Sequence, residues 1–162
     1  MIRLEPFRPS DFDLFISWID SRELLLQIAG PYFSYPLTAI QLHQYLDDIK
    51  SLAFQVIEES SGKAIGHAEI ILQGHQVCKL DKVLIGDKEN RGKGMGQHLI
   101  ARLLDYCFLL LDAETVELLV YDWNVSAIKT YEKAGFAIVD NDHMRMEIDG
   151  VVWKVFKMTI KK

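Results

Sequence analysis

The sequence contains few of the residues and runs that mark disulfide-bonded, secreted or membrane proteins. Only two of its 162 residues are cysteines, Cys78 in a predicted strand and Cys107 on a predicted helix. We predict that both are buried free thiols in a reducing compartment. The longest purely apolar run spans residues 107–111, far shorter than the roughly 20 residues that cross a bilayer. The N-terminal residues MIRLEPFRPSD include no apolar segment typical of a secretory signal, so we expect a cytoplasmic protein.

Patterns that bind metals or nucleic acids are also missing. The five histidines show neither HxxxH nor HExxH spacing and stand near no cysteine pair, so we predict no metal. The net charge of −5 argues against nucleic acid or an anionic membrane as the main partner, and it is compatible with a cationic substrate such as an amine. The length and the 49% of hydrophobic residues predict one domain over residues 1–162.

Residues 83–104, VLIGDKENRGKGMGQHLIARLL, combine a strand end, a glycine-rich loop and an amphipathic helix. The apolar residues of the helix recur with the spacing of a helix that lies on a sheet. Gly92, Gly94 and Gly96 alternate where this helix begins. Glycines let the backbone approach a ligand closely, and a helix N-terminus adds unpaired donors and the positive end of the helix dipole. The segment therefore predicts a phosphate site.

Three basic residues, Lys88, Arg91 and Lys93, would add positive charge beside this loop. The two common nucleotide motifs do not match. No Ser or Thr follows a Gly-Lys pair, and Gln97 and Leu99 stand where a dinucleotide fingerprint needs Gly or Ala. The first-choice ligand is thus a molecule that carries a pyrophosphate and is bound by neither of these two motifs. The alternative is a glycine-rich turn that binds nothing.

Two motifs make the sequence resemble one family. The segment Arg91-x-x-Gly94-x-Gly96 is similar to the R/Q-x-x-G-x-G/A segment of the GNAT superfamily of N-acetyltransferases. Residues 124–136, NVSAIKTYEKAGF, resemble the later motif of that family, N-x-x-A-x-x-x-Y-E-K-x-G-F. The two motifs stand in the family order, with one predicted helix and one predicted strand between them. The stretch IGDKENRGKGMG looks closer to the branch that acetylates ribosomal-protein N-termini, polyamines and amino sugars.

The resemblance implies an α/β (α+β) fold with a mixed, mostly antiparallel sheet of about seven strands and helices on both faces. The sequence patterns give the order βααα-βββ-αβα-ββ, which suits this arrangement. The fourth and fifth strands are each followed by a helix, so we expect them to be parallel and adjacent. In the family this pair splays apart. Locally, we predict helix caps at Ser10 and at Thr38 with Gln41, and a hairpin at Asp149-Gly150.

By the same resemblance, the chain uses acetyl-CoA as a co-substrate. The amides of the glycine loop would hold the pyrophosphate, and the pantetheine arm would pair with the fourth strand as an added strand does. Asn124 would bond to this arm, although Asn is also a common helix cap. The predicted cofactor-binding residues are Val83, Leu84, Ile85, Arg91, Gly92, Lys93, Gly94, Met95, Gly96 and Asn124.

Tyr131 is the catalytic acid that the resemblance implies, since it would protonate the departing CoA thiolate. A phenol of pKa about 10 protonates a thiolate of pKa about 8.5 only with help from the site. The alternative interpretation is a core aromatic residue. As the general base we consider Asp81 on the fourth strand and Glu69 on the third, with His67 and Asp122 as further candidates. Each of these is also typical of a solvated or ion-paired strand residue.

The implied reaction transfers an acetyl group directly to a primary amine of a small molecule or of a protein N-terminus. Residues 32–35, YFSY, form a loop rich in aromatics that would either line the acceptor cleft or cap the core. A non-catalytic acyl-CoA sensor and a structural domain with an empty phosphate loop are the alternatives. We expect neither nucleic acid nor a membrane as a partner, and either a monomer or a homodimer.

Overall fold

The structure is a computed structural model that describes the backbone of residues 1–162 and every side chain except those of residues 140–143. Its strands are β1 Ile2–Pro6, β2 Ser51–Glu58, β3 Ala64–Leu72, β4 Val77–Ile85, β5 Thr115–Tyr121, β6 Ala137–Ile148 and β7 Val151–Lys161. They form one sheet in the order β1-β2-β3-β4-β5-β7-β6. The β4–β5 pair is parallel and the other pairs are antiparallel. The predicted mixed, mostly antiparallel sheet is therefore confirmed.

The helices are α1 Phe12–Trp18, α2 Arg22–Ala29, α3 Ala39–Leu46, α4 Met95–Asp105 and α5 Val125–Lys133. Short 3-10 turns at Pro9–Asp11 and Lys88–Asn90 precede α1 and α4, and a π-helical turn at Tyr106–Leu110 extends α4. The order of helices and strands is the predicted one. None of the helices that the structure describes has the length and apolar character needed to span a bilayer.

The two predicted helix caps have different outcomes. Thr38 caps α3 as predicted, because its Oγ1 accepts the N–H of Gln41 at 3.4 Å. The prediction for Ser10 is wrong, since the helical turn begins at Pro9, two residues before the start that a cap at Ser10 implies, and the backbone N–H of Arg8 donates to Asp11 Oδ2 at 2.8 Å. Pro9 explains the shift, because its fixed φ and its missing N–H suit the first position of a helix.

The sheet carries an apolar layer on each face. On one face α4 buries Leu99 and Leu103 against the strands, and on the other face α1, α2 and α3 bury a cluster around Phe15. Each fully buried side chain of this kind contributes about 1.5–3 kcal/mol. Cys78 and Cys107 are buried and free, as predicted. The helices thus cover both faces, which fixes the ends of β4 and β5 between two packed layers.

A gap opens between β4 and β5 within the sheet. Their parallel pairing begins at Val77–Thr115 and ends at Leu80–Leu118, although both strands continue beyond that point. The register between β3 and β4 shifts at the same level, where Lys82 has a φ of +47°. A positive φ outside glycine is uncommon, and a bulge bends the strand that carries it. The bulge at Lys82 turns β4 away from β5, which confirms the predicted splayed pair.

Candidate active site

The glycine loop presents a row of free main-chain donors at the start of α4. Gly92 and Gly94 have φ of +75° and +77°, and Gly94 forms the left-handed N-cap of the helix. A Cβ built at either position meets no atom within 4 Å, so the backbone conformation, not space, requires glycine there. Among the backbone hydrogen bonds of the described chain, none is donated by the N–H groups of residues 92–96. These donors and the helix dipole make the loop an anion site.

The basic residues around the loop are not equally available to a ligand. The Arg91 guanidinium donates to the carbonyl of Ile85 at 3.1 Å and to that of Gly86 at 3.4 Å, so it braces the turn between β4 and α4. The ammonium of Lys88 lies 3.4 Å from Asp20 Oδ2. Lys93 is exposed, with no ion pair among the described side chains. The sequence could not show this division, because Asp20 is distant from the loop in the chain.

The N-terminus of α4 docks against α5, which joins the two sequence motifs in space. A Cβ built on Gly96 would lie 3.8 Å from Thr130 Cγ2. The side chain of Gln97 donates to the carbonyl of Thr130 at 2.8 Å. Gln97 is one of the two residues at which the dinucleotide fingerprint fails, and here its side chain joins the two helices. The helix that carries Asn124 and Tyr131 is thereby fixed beside the glycine loop.

A cleft of about 410 Å³, called here the first cleft, lies in the gap between β4 and β5. Residues 80–85 and 118–120 form its walls, and Arg91, Gly96, Asn124 and Tyr131 also line it. The structure thus brings most of the predicted cofactor-binding residues to one place. Predicted residues that are not among its lining residues are Gly92, Lys93 and Gly94, which are exposed in the turn before α4, and Met95, the half-buried first residue of α4.

Asn124 and Tyr131 lie on the same side of α5, at its first turn and two turns later. Asn124 Oδ1 accepts the N–H of Ala127 at 3.3 Å, so Asn124 caps the helix and also lines the first cleft. Burial, followed by the nearby charge of Asp81, raises the pKa of Tyr131 to about 12. The Tyr131 hydroxyl is therefore protonated at neutral pH. The same shift makes it a weaker acid than a free phenol, so its proton moves to a thiolate only where the bound substrates stabilise the phenolate that forms.

A further cleft of about 300 Å³ adjoins the first and is called here the second cleft. It is lined by the C-terminal part of α2, by Tyr32 from the aromatic loop, and by Lys79, Tyr121 and Met146. The sequence left open whether the aromatic loop, residues 32–35, lines the acceptor cleft or caps the core. It does both, since Tyr32 lines this cleft and Phe33 is buried in the core. The residues that line both clefts are Gln27, Ile28, Asp81, Leu119 and Val120.

Asp81 lies at the junction of the two clefts with its side chain about a quarter exposed, at 26%. Its Oδ1 accepts the N–H of Lys82 at 2.8 Å, and its Oδ2 lies 3.4 Å from Lys79 Nζ and 3.8 Å from Lys82 Nζ. The bulge of β4 therefore positions this carboxylate. An acid in this place faces both clefts and is within reach of two ammonium groups.

Glu69 lines neither cleft. Its carboxylate accepts from Lys82 Nζ at 2.6 Å and from the Ser51 hydroxyl, deep in the protein. Burial raises the pKa of Glu69, while Lys82 and Ser51 oppose this shift. His67 is also buried, and burial together with Lys82 lowers its pKa to about 3. Glu69 pairs with Lys82, and the charge of Lys82 acts on His67, so the three residues form an internal polar cluster.

Three comparisons with known proteins relate this arrangement to a family. A profile of the acetyltransferase (GNAT) family matches residues 18–136. A spermidine N(1)-acetyltransferase from Vibrio cholerae serotype O1 is 30% identical over 132 residues, which are 80% of this chain and 75% of that protein. The crystal structure of a Vibrio cholerae spermidine N-acetyltransferase in complex with CoA and spermine is similar with a TM-score of 0.81 at 25% identity, covering 99% of this chain and 95% of that one. A chimera of that enzyme and hSSAT has the same TM-score and coverage at 24% identity.

Proposed function

This chain belongs to the GNAT family of acetyltransferases and is an acetyl-CoA-dependent N-acetyltransferase, and we propose that it transfers the acetyl group directly from the first cleft to a primary amine in the second. The observation that carries this proposal is the meeting of the two clefts at Asp81, in the gap where β4 leaves β5. Two substrates held in these clefts would approach each other at one point, which converts a bimolecular reaction into a positioned one.

The residues present fit the co-substrate. The free N–H groups of residues 92–96 suit a pyrophosphate, and Lys93 adds exposed positive charge beside them. The edge of β4 at residues 83–85 has no strand partner on the β5 side, because that pairing ends at Leu80. An extended amide chain pairs readily with such an edge, so this stretch suits the pantetheine arm. Asn124 would bind the same arm from α5.

In the proposed reaction, bound acetyl-CoA supplies the acetyl group, whose carbonyl carbon bonds to the amine nitrogen as the carbon–sulfur bond breaks. Tyr131 donates its proton to the sulfur that leaves. The amine nitrogen loses a proton, which Asp81 accepts directly or through water. Glu69 takes no part in this scheme, because Lys82 and Ser51 occupy its carboxylate away from both clefts. The chain needs no covalent intermediate, since positioning and proton transfer supply the catalysis.

We propose that the acceptor is a small-molecule amine, since the second cleft is a small pocket lined by side chains from several elements. The related proteins act on spermidine, and one of them is bound to spermine, so polyamines and monoamines are the two classes of small amine to be compared. A protein N-terminus is the other acceptor to be tested.

We further propose that the protein works in the cytoplasm as a single domain and as a monomer or homodimer. Light scattering would contradict the last point by finding a larger assembly, such as the dodecamer described for the Vibrio enzyme.

The first experiment measures thermal unfolding with acetyl-CoA, CoA and ATP added separately. A ligand at 100 times its Kd stabilises the folded state by about 2.7 kcal/mol, which raises Tm by roughly 5–11 °C in a domain of this size. We expect this rise with both CoA compounds and not with ATP. A rise with ATP alone, or no rise at all, would contradict the assignment of the first cleft.

The second experiment follows thiol release from acetyl-CoA in the presence of amines. The panel contains spermidine, simple alkylamines and a short peptide with a free N-terminus. Release that depends on an amine, with the acetylated product found by mass spectrometry, supports the proposed function. Tight binding of CoA with no amine-dependent release from any acceptor would favour the acyl-CoA sensor instead.

A further inference from the structure

The second cleft contains a buried hydroxyl without a hydrogen-bond partner. Tyr121, at the end of β5, is only 6% exposed, and its hydroxyl makes no hydrogen bond to any described atom. The hydroxyl lies beside Gly30, where a built Cβ would be 3.7 Å away, and both residues line the cleft. Buried hydroxyls are nearly always paired in folded proteins, because an unpaired one costs free energy. This hydroxyl is therefore suited to a ligand in the cleft.

The ring of Tyr121 packs against two tryptophans. It stacks on Trp123 with centroids 5.6 Å apart and planes 6° apart, and it contacts Trp153 at 5.0 Å. Burial, with a smaller effect of the Asp81 charge, raises the pKa of Tyr121, so the phenol is neutral. A neutral hydroxyl and the Asp81 carboxylate line one cleft, and both are able to accept the N–H groups of an amine.

Positive charges of the protein itself flank the same carboxylate. Lys79 lines the second cleft with its Nζ 3.4 Å from Asp81 Oδ2. The Nζ of Lys82 lies 3.8 Å from this oxygen and 4.1 Å from the centroid of the Tyr32 ring. It therefore covers one face of this ring, which lines the cleft. Like charges at such distances repel in a partly buried site. A second ammonium group farther along the acceptor would meet the positive charge of Lys79 across the same cleft, so it would be disfavoured.

We propose that Asp81 and the Tyr121 hydroxyl bind the acceptor nitrogen in the second cleft, and that Lys79 selects acceptors with only that one positive charge. This inference rests on the proposed function and narrows it to a class of substrate. The preferred acceptor is a primary amine on an apolar body, which packs against Tyr32 and Ile28. Polyamines, with two or more ammonium groups, are then poor acceptors.

The role of Tyr121 is tested with Tyr121→Phe, which keeps the ring and removes the hydroxyl. We expect the KM for an alkylamine to rise about tenfold, as for the loss of one hydrogen bond to a charged group, with kcat and the KM for acetyl-CoA nearly unchanged. Tyr106→Phe is the matched control, because Tyr106 lines neither cleft. An unchanged KM for the amine in Tyr121→Phe would overturn the assignment of this hydroxyl.

The role of Lys79 is tested with hexylamine and 1,6-diaminohexane, which differ by one ammonium group. We expect the wild-type kcat/KM for hexylamine to be at least about tenfold higher, and Lys79→Gln to reduce this preference about fivefold or more. Lys63→Gln makes the same change of charge on a distant exposed turn and should leave the preference unaltered. A wild-type enzyme that prefers the diamine, or a preference that Lys79→Gln does not move, overturns the inference and leaves the proposed function intact. Failure to acetylate any amine while CoA binds overturns the proposed function itself.

Discussion

Acidification should destabilise this protein through one buried histidine. His67 on β3 is 1% exposed, its ring stacks on Phe15 at 4.4 Å, and its Nε2 lies 3.1 Å from the Tyr45 hydroxyl. Burial, with a smaller effect of the Lys82 charge, lowers the pKa of His67 from 6.5 to about 3. The unfolded chain therefore binds a proton between these two pH values, whereas the folded protein does not. Stability that is fully present above pH 6.5 is lost as the pH falls towards 3.

The expected loss follows from these two pKa values. At pH 5, protonation of His67 in the unfolded chain increases the equilibrium constant for unfolding by a factor of about 30, which corresponds to about 2 kcal/mol. At pH 7 the same effect is only about 0.2 kcal/mol. In a domain of this size the difference lowers Tm by roughly 4–8 °C. Glu69 acts in the opposite sense, because its raised pKa adds stability as the pH falls. The test must therefore compare variants and not a single pH profile.

The assay is urea unfolding at pH 7 and pH 5 for the wild type, His67→Gln and His98→Gln. His67→Gln will be less stable at both pH values, because it changes a packed core position, so only the difference between the two pH values is used. We expect this difference to be about 2 kcal/mol smaller in His67→Gln than in the wild type. His98 is exposed on α4, so His98→Gln should behave as the wild type does. Equal pH differences in the wild type and His67→Gln would refute the reasoning.

Three further changes test the site and the internal cluster. Tyr131→Phe should lower kcat about 100-fold with unchanged binding of acetyl-CoA, and an unchanged kcat would remove Tyr131 from the reaction. Gly94→Val, at a φ of +77°, should abolish the rise in Tm with CoA, whereas Gly62→Val at a φ of +70° in a distant turn should keep it. Normal CoA affinity in Gly94→Val would contradict the anion site. Lys82→Met should reduce the free energy of unfolding by about 3–5 kcal/mol, because it leaves the Glu69 carboxylate buried without its cation. A urea midpoint like that of the wild type would argue against a stabilising Lys82–Glu69 pair.

The fold was predictable because its signals are local. The order of strands and helices followed from apolar periodicity, and the glycine loop marked the start of α4. The error at Ser10 arose because a Ser followed by an acid is a common cap, and the effect of Pro9 on the start of the turn outweighed it. The first cleft was predictable for a similar reason, since the residues of each motif are close together in the sequence and the family relates the two motifs.

The second cleft could not be predicted in the same way. Tyr32, Lys79 and Tyr121 come from a loop and two strands, so no single sequence motif contains them. One signal for the internal cluster was available. The buried residues of β4 alternate along the strand, and Lys82 occupies one of the inward positions, which indicates a buried and paired lysine. Its partner, Glu69, remained hidden because the pairing depends on the register between β3 and β4.

The two clefts differ in the kind of atom that forms them, and this difference has an evolutionary consequence. The donors at the start of α4 are main-chain N–H groups of residues 92–96, which persist through most substitutions that spare the glycines. The second cleft depends on single side chains, at positions 32, 79 and 121, that separate elements contribute. After gene duplication, a few exchanges at these positions would give a descendant a new amine while it inherits the same acetyl donor. In such a lineage the donor site is conserved, and the acceptor site is free to diverge.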